Sequence, residues 1–320
     1  MENPHFVELF HRHRNNPIII AKDLPYPANT VFNAGAALVD GETLLLLRVE
    51  DRRGISHLTA ARSHDGFENW RIDAGPTILP SPSTHPEEEW GIEDPRITYL
   101  EEADLWAITY TAYSTAGPLV SLATTHDFRS FERHGSVMPP EDKDAALFPV
   151  RFDGRWAMIH RPVSTLPNTG AHIWISFSPD LKHWGDHQIL LPARRGAWWD
   201  ADKVGLSTPP LRTEEGWLVL YHGVKSTPAG SIYRVGLAML DLEHPRQVTS
   251  RSDEWVFAPE AAYELFGDVD KVVFPCGWTL VGDEIRLYYG AADTSIALAT
   301  GSLSELLAWL TVHNSLRGYK

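Results

Sequence analysis

The chain has 320 residues, a formal net charge of −14, 43% hydrophobic residues and a single cysteine, Cys276. That describes a folded globular protein with room for two ordinary domains or one large β or α/β domain, and one cysteine excludes an intrachain disulfide or a multi-cysteine metal site. The acidic balance argues against nucleic acid or an anionic membrane as partner, since both are polyanions, so an anionic ligand would need a local basic pocket.

In chain order, residues 1–25 read as an N-terminal extension. Its opening, "MENPHFVELFHRHRNN", has no apolar core of signal-peptide length, and no run of about 18 apolar residues follows anywhere. A cytoplasmic location is therefore expected. His11 and His13 alternate with arginines, which fits a solvated segment better than a metal site, and no catalytic metal is expected.

From residue 30 a unit repeats. Five hairpins, "GAALVDGETLLLLRV", "DPRITYLEEADLWAITYTAY", "FPVRFDGRWAMIHRP", "PPLRTEEGWLVLYHG" and "CGWTLVGDEIRLYYGA", each set a polar turn between two apolar strands. After the first four comes a β-rich run that closes on Asp, an apolar residue and often an aromatic: "AARSHDGFENW", "LATTHDFRSF", "ISFSPDLKHW" and "LAMLDLEHP". The aligned aspartates are Asp65, Asp127, Asp180 and Asp241, and "LATGSLSELL" is a weaker fifth copy. Four strands per unit at this period is the pattern of a propeller blade. A short helix is expected at residues 302–310, with the last residues as a C-terminal extension. The predicted fold is all-β, one five-bladed β-propeller domain over residues 1–320.

In such a fold the start of each hairpin's first strand and the end of its second converge on one mouth of the central channel. That ring holds "FNAG" with Arg48, "GIEDPR" with Tyr110, "LFP" with His160 and Arg161, "STPP" with Tyr221 and His222, and "FPCG" with Tyr289 and Asp293. A lone Glu-Asp-Pro is usually turn chemistry. Ionisable residues converging from separate blades are harder to explain that way, which makes Asp94 a functional candidate. Arg161, Lys203, His160 and His222 form a basic set suited to phosphate or carboxylate. The competing reading pairs each cation with an acid such as Asp200, Asp202 or Asp144. Ring aromatics (Trp90, Tyr110, Tyr113, Trp198, Trp199, Tyr221, Tyr233, Tyr289) suit a sugar face or inter-blade packing. Of these, Trp198-Trp199 reads as binding.

"FNAGA", "RVEDRRGIS", "GIEDPR", "KDAALFP", "HRP", "DKVG", "PPL…GWLVLYHGV", "FPCGW" and "YYGAADT" follow one another from about residue 30 to 305. Together they resemble glycoside hydrolase family 130, which comprises β-mannoside phosphorylases and a smaller group of β-mannosidases. The resemblance implies a five-bladed propeller with Asp94 as general acid, its proton relayed through the mannose 3-hydroxyl. It implies Asn33 and Arg48 on the mannosyl ring, with Glu93 and His160 beside the substrate and Asp293 near mannose and phosphate. It places Arg161, Lys203, Tyr233 and His222 on phosphate. One position departs: Lys143-Asp144 stands where an Arg-Asn pair is frequent. Lys143 is still expected on phosphate, whereas Asp144 would repel it unless turned away.

Inverting hydrolysis needs a second carboxylate to activate water, but phosphate is already an anionic nucleophile and needs cations to hold it in line. One acid plus a cationic cradle therefore predicts inverting phosphorolysis of a manno-oligosaccharide or mannosyl-glucose to α-mannose 1-phosphate. The partners expected are oligosaccharide and inorganic phosphate, with no cofactor, and a homo-oligomer is left open. The rivals are a β-mannosidase using Glu50, Asp144 or Asp202, a furanoside hydrolase with three separated acids, and a non-catalytic sugar-binding propeller.

Overall fold

The structure is a computed structural model that describes residues 7–163, 170–228 and 230–318. Five antiparallel sheets surround one axis. Their inner strands are Thr30–Val39, Ile92–Leu100, Asp142–Phe152, Lys203–Leu206 and Val273–Val281, for blades one to five. The inner strands of blades one to four pack each on the next, and the fifth packs on the first. Each blade then runs outward through the rest of its hairpin to an outer strand. Apolar side chains of adjacent sheets interdigitate between blades, as where Leu218 and Val235 of blade four meet Trp278 and Leu287 of blade five.

The repeated aspartate explains the outer turn of each unit. Its Oδ1 accepts the backbone N–H groups two and three residues on: Phe67 and Glu68 for Asp65, Arg129 and Ser130 for Asp127. Asp180 and Asp241 do the same for Lys182 and His183, and for Glu243 and His244. A short carboxylate bonding its own backbone is the Asx turn. The fifth copy lacks the aspartate, and there the chain enters a helix, Leu303–Val312, capped by Ser302. The outer strand of blade five comes instead from the N-terminal segment, where His11–Arg12 pairs with Thr300 and Ala299. That segment, expected as an extension, is part of the last blade.

A second repeat was not visible in the sequence. In three blades a fully buried carboxylate accepts from a tyrosine of the second strand and an arginine of the outer strand. Blade two uses Glu88 with Tyr110 at 2.8 Å and Arg133 at 2.7 Å. Blade four uses Asp200 with Tyr221 at 3.0 Å and Arg251 at 2.7 Å. Blade five uses Glu264 with Tyr289 at 2.7 Å and Arg12 at 2.8 Å. These contacts take Tyr110, Tyr221 and Tyr289 out of the set facing a sugar. Trp199, expected at the binding site, stacks on Tyr221 at 5.6 Å, donates to the Asp253 carbonyl and is buried. Trp198 carries the Arg194 guanidinium at 3.9 Å.

Arg12 thus fastens the closing strand to a carboxylate that has no water to solvate it. Removing one partner of a buried pair leaves the other charge uncompensated, at about 3 kcal/mol. Arg12→Ala should lower unfolding free energy in urea by about that amount, and adding Glu264→Gln should recover part of it. A loss below about 1 kcal/mol would show that the pair does not hold the blade.

Candidate active site

Three inner strands share one irregularity. In blades one, two and three the register slips between Phe32 and Gly35, Glu93 and Arg96, and Lys143 and Ala146. The residues at the slips, Asn33, Asp94 and Asp144, have φ of 49°, 50° and 53°. Asn and Asp tolerate this left-handed conformation better than other side chains, and a bulge re-aims the side chain it carries. Space is cleared for two of them: a Cβ on Gly290 would lie 2.0 Å from Asn33 Oδ1, and one on Gly205 2.4 Å from Asp144 Oδ2.

The result is a pocket of about 240 Å³ lined from all five blades: Asn33, Arg48, Glu93, Asp94, Lys143, Arg161, Lys203, His222, Tyr233, Phe274 and Asp293, walled by Val269 and Val272. Its charges are segregated. The carboxyls stand on blades two and five beside Arg48 of blade one, and the remaining cations on blades three and four.

On the carboxyl side, Asp94 Oδ1 accepts from Asn33 Nδ2 and Arg48 Nη1, each at 2.9 Å, while Arg48 Nη2 donates to Glu93 at 3.0 Å. Burial opposes ionisation of Asp94, but the charges of Arg48, Lys143 and Arg96 outweigh it and hold this carboxyl below its ordinary value. Burial pushes Glu93 the other way, helped by the charge on Asp94 and against the pull of Arg48. Burial and the charges of Asp94 and Glu93 push Asp293 up to about 6, again against Arg48. Arg96 lies beneath: it donates to the Asp94 carbonyl and crosses the channel to the carbonyls of Ser207 and Leu206 of the fourth blade. Sequence reasoning assigned Arg96 no role, and a motif arginine gives no sign that its partners are main chain.

On the cation side, Arg161 Nε donates to Asp144 at 2.6 Å, and His222 Nε2 stands 3.6 Å from the same carboxylate. Asp144 does not line the pocket. Buried between Arg161, His222 and Gly205, it is turned away and charge-compensated, and it orients Arg161 from behind. Lys203 has no ion-pair partner among the described residues; Asp200 is held by Arg194 and Arg251, and Asp202 accepts from the Ser226 N–H. Lys143 likewise has none there. Burial and the like charges of Arg161 and Lys143 push the Lys203 ammonium below its ordinary value. Burial brings His222 down to about 3, so its imidazole is neutral at neutral pH, and its Nδ1 has no partner among the described residues. Crowded cations of this kind are chemically suited to an anion.

Of the site residues that the family resemblance assigns to substrate or phosphate, His160 alone lies outside the pocket lining. It is 2% exposed, its Nδ1 bonded to Asp142 at 2.6 Å and its Nε2 to Ser176 at 2.7 Å. The chain Asp142–His160–Ser176 has the order of a nucleophilic triad, but Ser176 is fully buried and also contacts His187. It pins the strand that delivers Arg161, whose N–H donates to Asp142. In blades three and four the pocket residues also lie upstream of the expected "LFP" and "STPP", because the charged starts of these strands read as loop. Among the described residues no group of three or more His, Cys, Asp or Glu could hold a metal ion, and no helix is long and apolar enough to cross a membrane.

A family model described as beta-1,4-mannooligosaccharide phosphorylase, that of glycoside hydrolase family 130, matches residues 6–312. A beta-1,2-mannobiose phosphorylase from Listeria innocua is 34% identical over 94% of this chain and 98% of its own. The beta-1,4-mannooligosaccharide phosphorylase of Ruminococcus albus is 31% identical over 95% and 92%. The chain belongs to glycoside hydrolase family 130. Among solved family members, the Listeria innocua enzyme in complex with beta-1,2-mannobiose superposes with a TM-score of 0.86 at 32% identity, covering 95% of this chain and 99% of that one. A structure described with family hydrolases that target beta-1,2 mannosidic linkages in Candida mannan gives 0.80 at 26% identity, covering 93% and 95%.

Within this family 130 pocket, Asp293 offers a test by linkage. The folded state holds its proton more tightly than the unfolded chain does, so ionising it costs stability. Wild-type stability should fall as pH rises from about 4 through about 6, whereas Asp293→Asn has no such proton to lose. The variant should match wild type at pH 4 and exceed it by about 2 kcal/mol at pH 7.5. Chemical unfolding at the two pH values checks this, and an equal gap at both contradicts it.

Proposed function

We propose that this protein is an inverting β-mannoside phosphorylase, converting a β-linked manno-oligosaccharide or mannosyl-glucose and inorganic phosphate into α-mannose 1-phosphate and the shortened sugar. The observation that carries the reading is the cation cluster of Lys143, Arg161 and Lys203 in the same pocket as Asp94. The carboxylates considered for activating water support it by their placement. Asp144 is sequestered by Arg161, Asp202 caps the Ser226 N–H, and Glu50 accepts from Asn29 outside the pocket.

In this mechanism the cations of blades three and four hold phosphate, and the mannosyl unit lies over Arg48, Glu93 and Asp293. A phosphate oxygen attacks the anomeric carbon from the face opposite the glycosidic oxygen. The bond to that oxygen breaks with its electron pair as Asp94 supplies a proton, relayed through the mannose 3-hydroxyl. Lys143 is among the charges that hold the Asp94 carboxyl below its ordinary value. A phosphate dianion on Lys143 offsets that charge and raises the Asp94 carboxyl, so the acid gains its proton when the nucleophile is in place. In the synthetic direction the ionised Asp94 is the base that accepts the acceptor's proton. No cofactor enters this reaction. A cytoplasmic location belongs to the same proposal, since a phosphorylated sugar cannot cross a bilayer unaided.

Asp94→Asn keeps the shape but has no proton to donate, so turnover should fall by about 10²–10⁴-fold. Glu93→Gln should be milder, and a fall below tenfold in a folded Asp94→Asn would remove that residue from the mechanism. Lys203→Ala removes a charge-assisted contact worth about 1.5–3 kcal/mol. Phosphate is both ligand and nucleophile, so the phosphate KM should rise about tenfold or more while kcat falls. Lost stability with an unchanged phosphate KM would instead mark Lys203 as structural.

A further inference from the structure

The phosphorylase reading leaves open where the leaving sugar sits. Inversion requires the nucleophile and the leaving oxygen on opposite faces of the anomeric carbon. The cations belong to blades three and four, and in a ring of five the blade opposite their junction is blade one. The leaving sugar must therefore extend over blade one, on the flank from which blade two presents Asp94.

One aromatic feature stands on that flank. Trp90 and Tyr113 are 42% and 39% exposed, with ring centroids 5.3 Å apart and planes at 73°. The backbone fixes both to the site: Trp90 N–H donates to the Tyr113 carbonyl, and Tyr113 N–H to the Gly91 carbonyl. Trp90 precedes the pocket residue Glu93 by three positions, about 10 Å of extended chain. Gly91 abuts Ser56 at the start of blade one's third strand, where a Cβ on Gly91 would lie 2.8 Å from the Ser56 nitrogen. Ser56 Oγ in turn accepts from Arg48 Nε at 3.0 Å. The pair thus borders blade one directly, next to the arginine that holds Asp94.

Tyr110, Tyr221 and Tyr289 are buried with their hydroxyls on carboxylates, and Tyr288 is buried with its hydroxyl on the Gly66 carbonyl. Tyr113 and Trp90 are partly exposed, and an exposed aromatic corner next to a polar pocket is where ligand contact is concentrated. Of the two other exposed aromatics, Tyr99 lies at the far end of its strand, bonded to Asp104, and Phe266 lies on the blade-five side, in the segment whose Val269 and Val272 wall the pocket.

Building on the phosphorylase reading, we propose that Trp90 and Tyr113 form the platform for the leaving-group sugar, a neutral pyranose whose C–H face packs on one ring and meets the edge of the other. They determine acceptor affinity and leave the mannosyl and phosphate sites untouched.

The test is synthesis from α-mannose 1-phosphate with D-mannose or D-glucose as acceptor, read as phosphate release. Trp90→Ala should raise the acceptor KM about tenfold or more while the mannose 1-phosphate KM stays within twofold. Tyr113→Ala should act in the same direction, Trp90→Phe should recover part of the loss, and Phe266→Ala should change neither constant. If Trp90→Ala does not fold, judged by its thermal unfolding midpoint, Trp90→Phe and Tyr113→Ala carry the comparison. The proposal is overturned if acceptor KM stays within twofold in the aromatic variants, if both KM values rise in parallel, or if Phe266→Ala shows the acceptor effect instead. Absence of phosphate release from wild type with every acceptor overturns the phosphorylase reading itself, and this proposal with it.

Discussion

The site depends on one backbone constraint, a left-handed residue in the inner strands of three consecutive blades. An inner strand of ordinary pleat would alternate its side chains between the two neighbouring blades and send none along the axis. The slip at Asn33, Asp94 and Asp144 breaks the alternation where the strands meet at the mouth. Gly290 and Gly205 make room for the redirected side chains. The same device yields three different side chains at the mouth: an amide that donates to Asp94, the Asp94 carboxyl proposed as the acid, and a carboxylate that orients a cation from behind.

Charge segregation follows. Asp144 occupies the bulge of blade three and could have opposed an anion, yet its bond to Arg161 Nε turns it into a support for anion binding. Lys143 and Lys203 have no ion-pair partner among the described residues, and burial together with the like charges of Arg161 and Lys143 depresses the Lys203 ammonium. Across the pocket burial pushes Glu93 up against the pull of Arg48, while the charges of Arg48, Lys143 and Arg96 hold Asp94 down against its own burial. In the proposed mechanism an anion on the cation side relaxes that arrangement and so couples nucleophile binding to acid protonation without any moving part.

Much of the architecture was legible in the sequence because local chemistry repeats. Hairpins with polar turns and an aspartate closing on its own backbone are short-range features, and they gave five blades and one mouth. Asn33, Arg48, Asp94, Arg161, His222 and Asp293 could be placed together because topology alone brings hairpin ends into a ring. What stayed hidden needed long-range geometry. The Glu264–Arg12–Tyr289 cluster joins residues some 250 positions apart, and Arg96 reaches carbonyls 110 positions away. His160 and Trp199 carried misleading signals, a polar residue beside a site residue and a tryptophan in a charged loop, because sequence proximity does not report which side of a strand is buried. Val269 and Val272 line the pocket without any polar sign that they should.

The central claim is that the cation cluster holds the nucleophile. It is tested most directly by following products from a β-mannobiose with and without inorganic phosphate, using phosphorus and proton NMR. The account predicts α-mannose 1-phosphate as the first-formed product, no free-mannose release beyond one per bond cleaved, and no turnover in phosphate-free buffer. Two mannose molecules released at the full rate without phosphate would contradict it and make the protein a hydrolase.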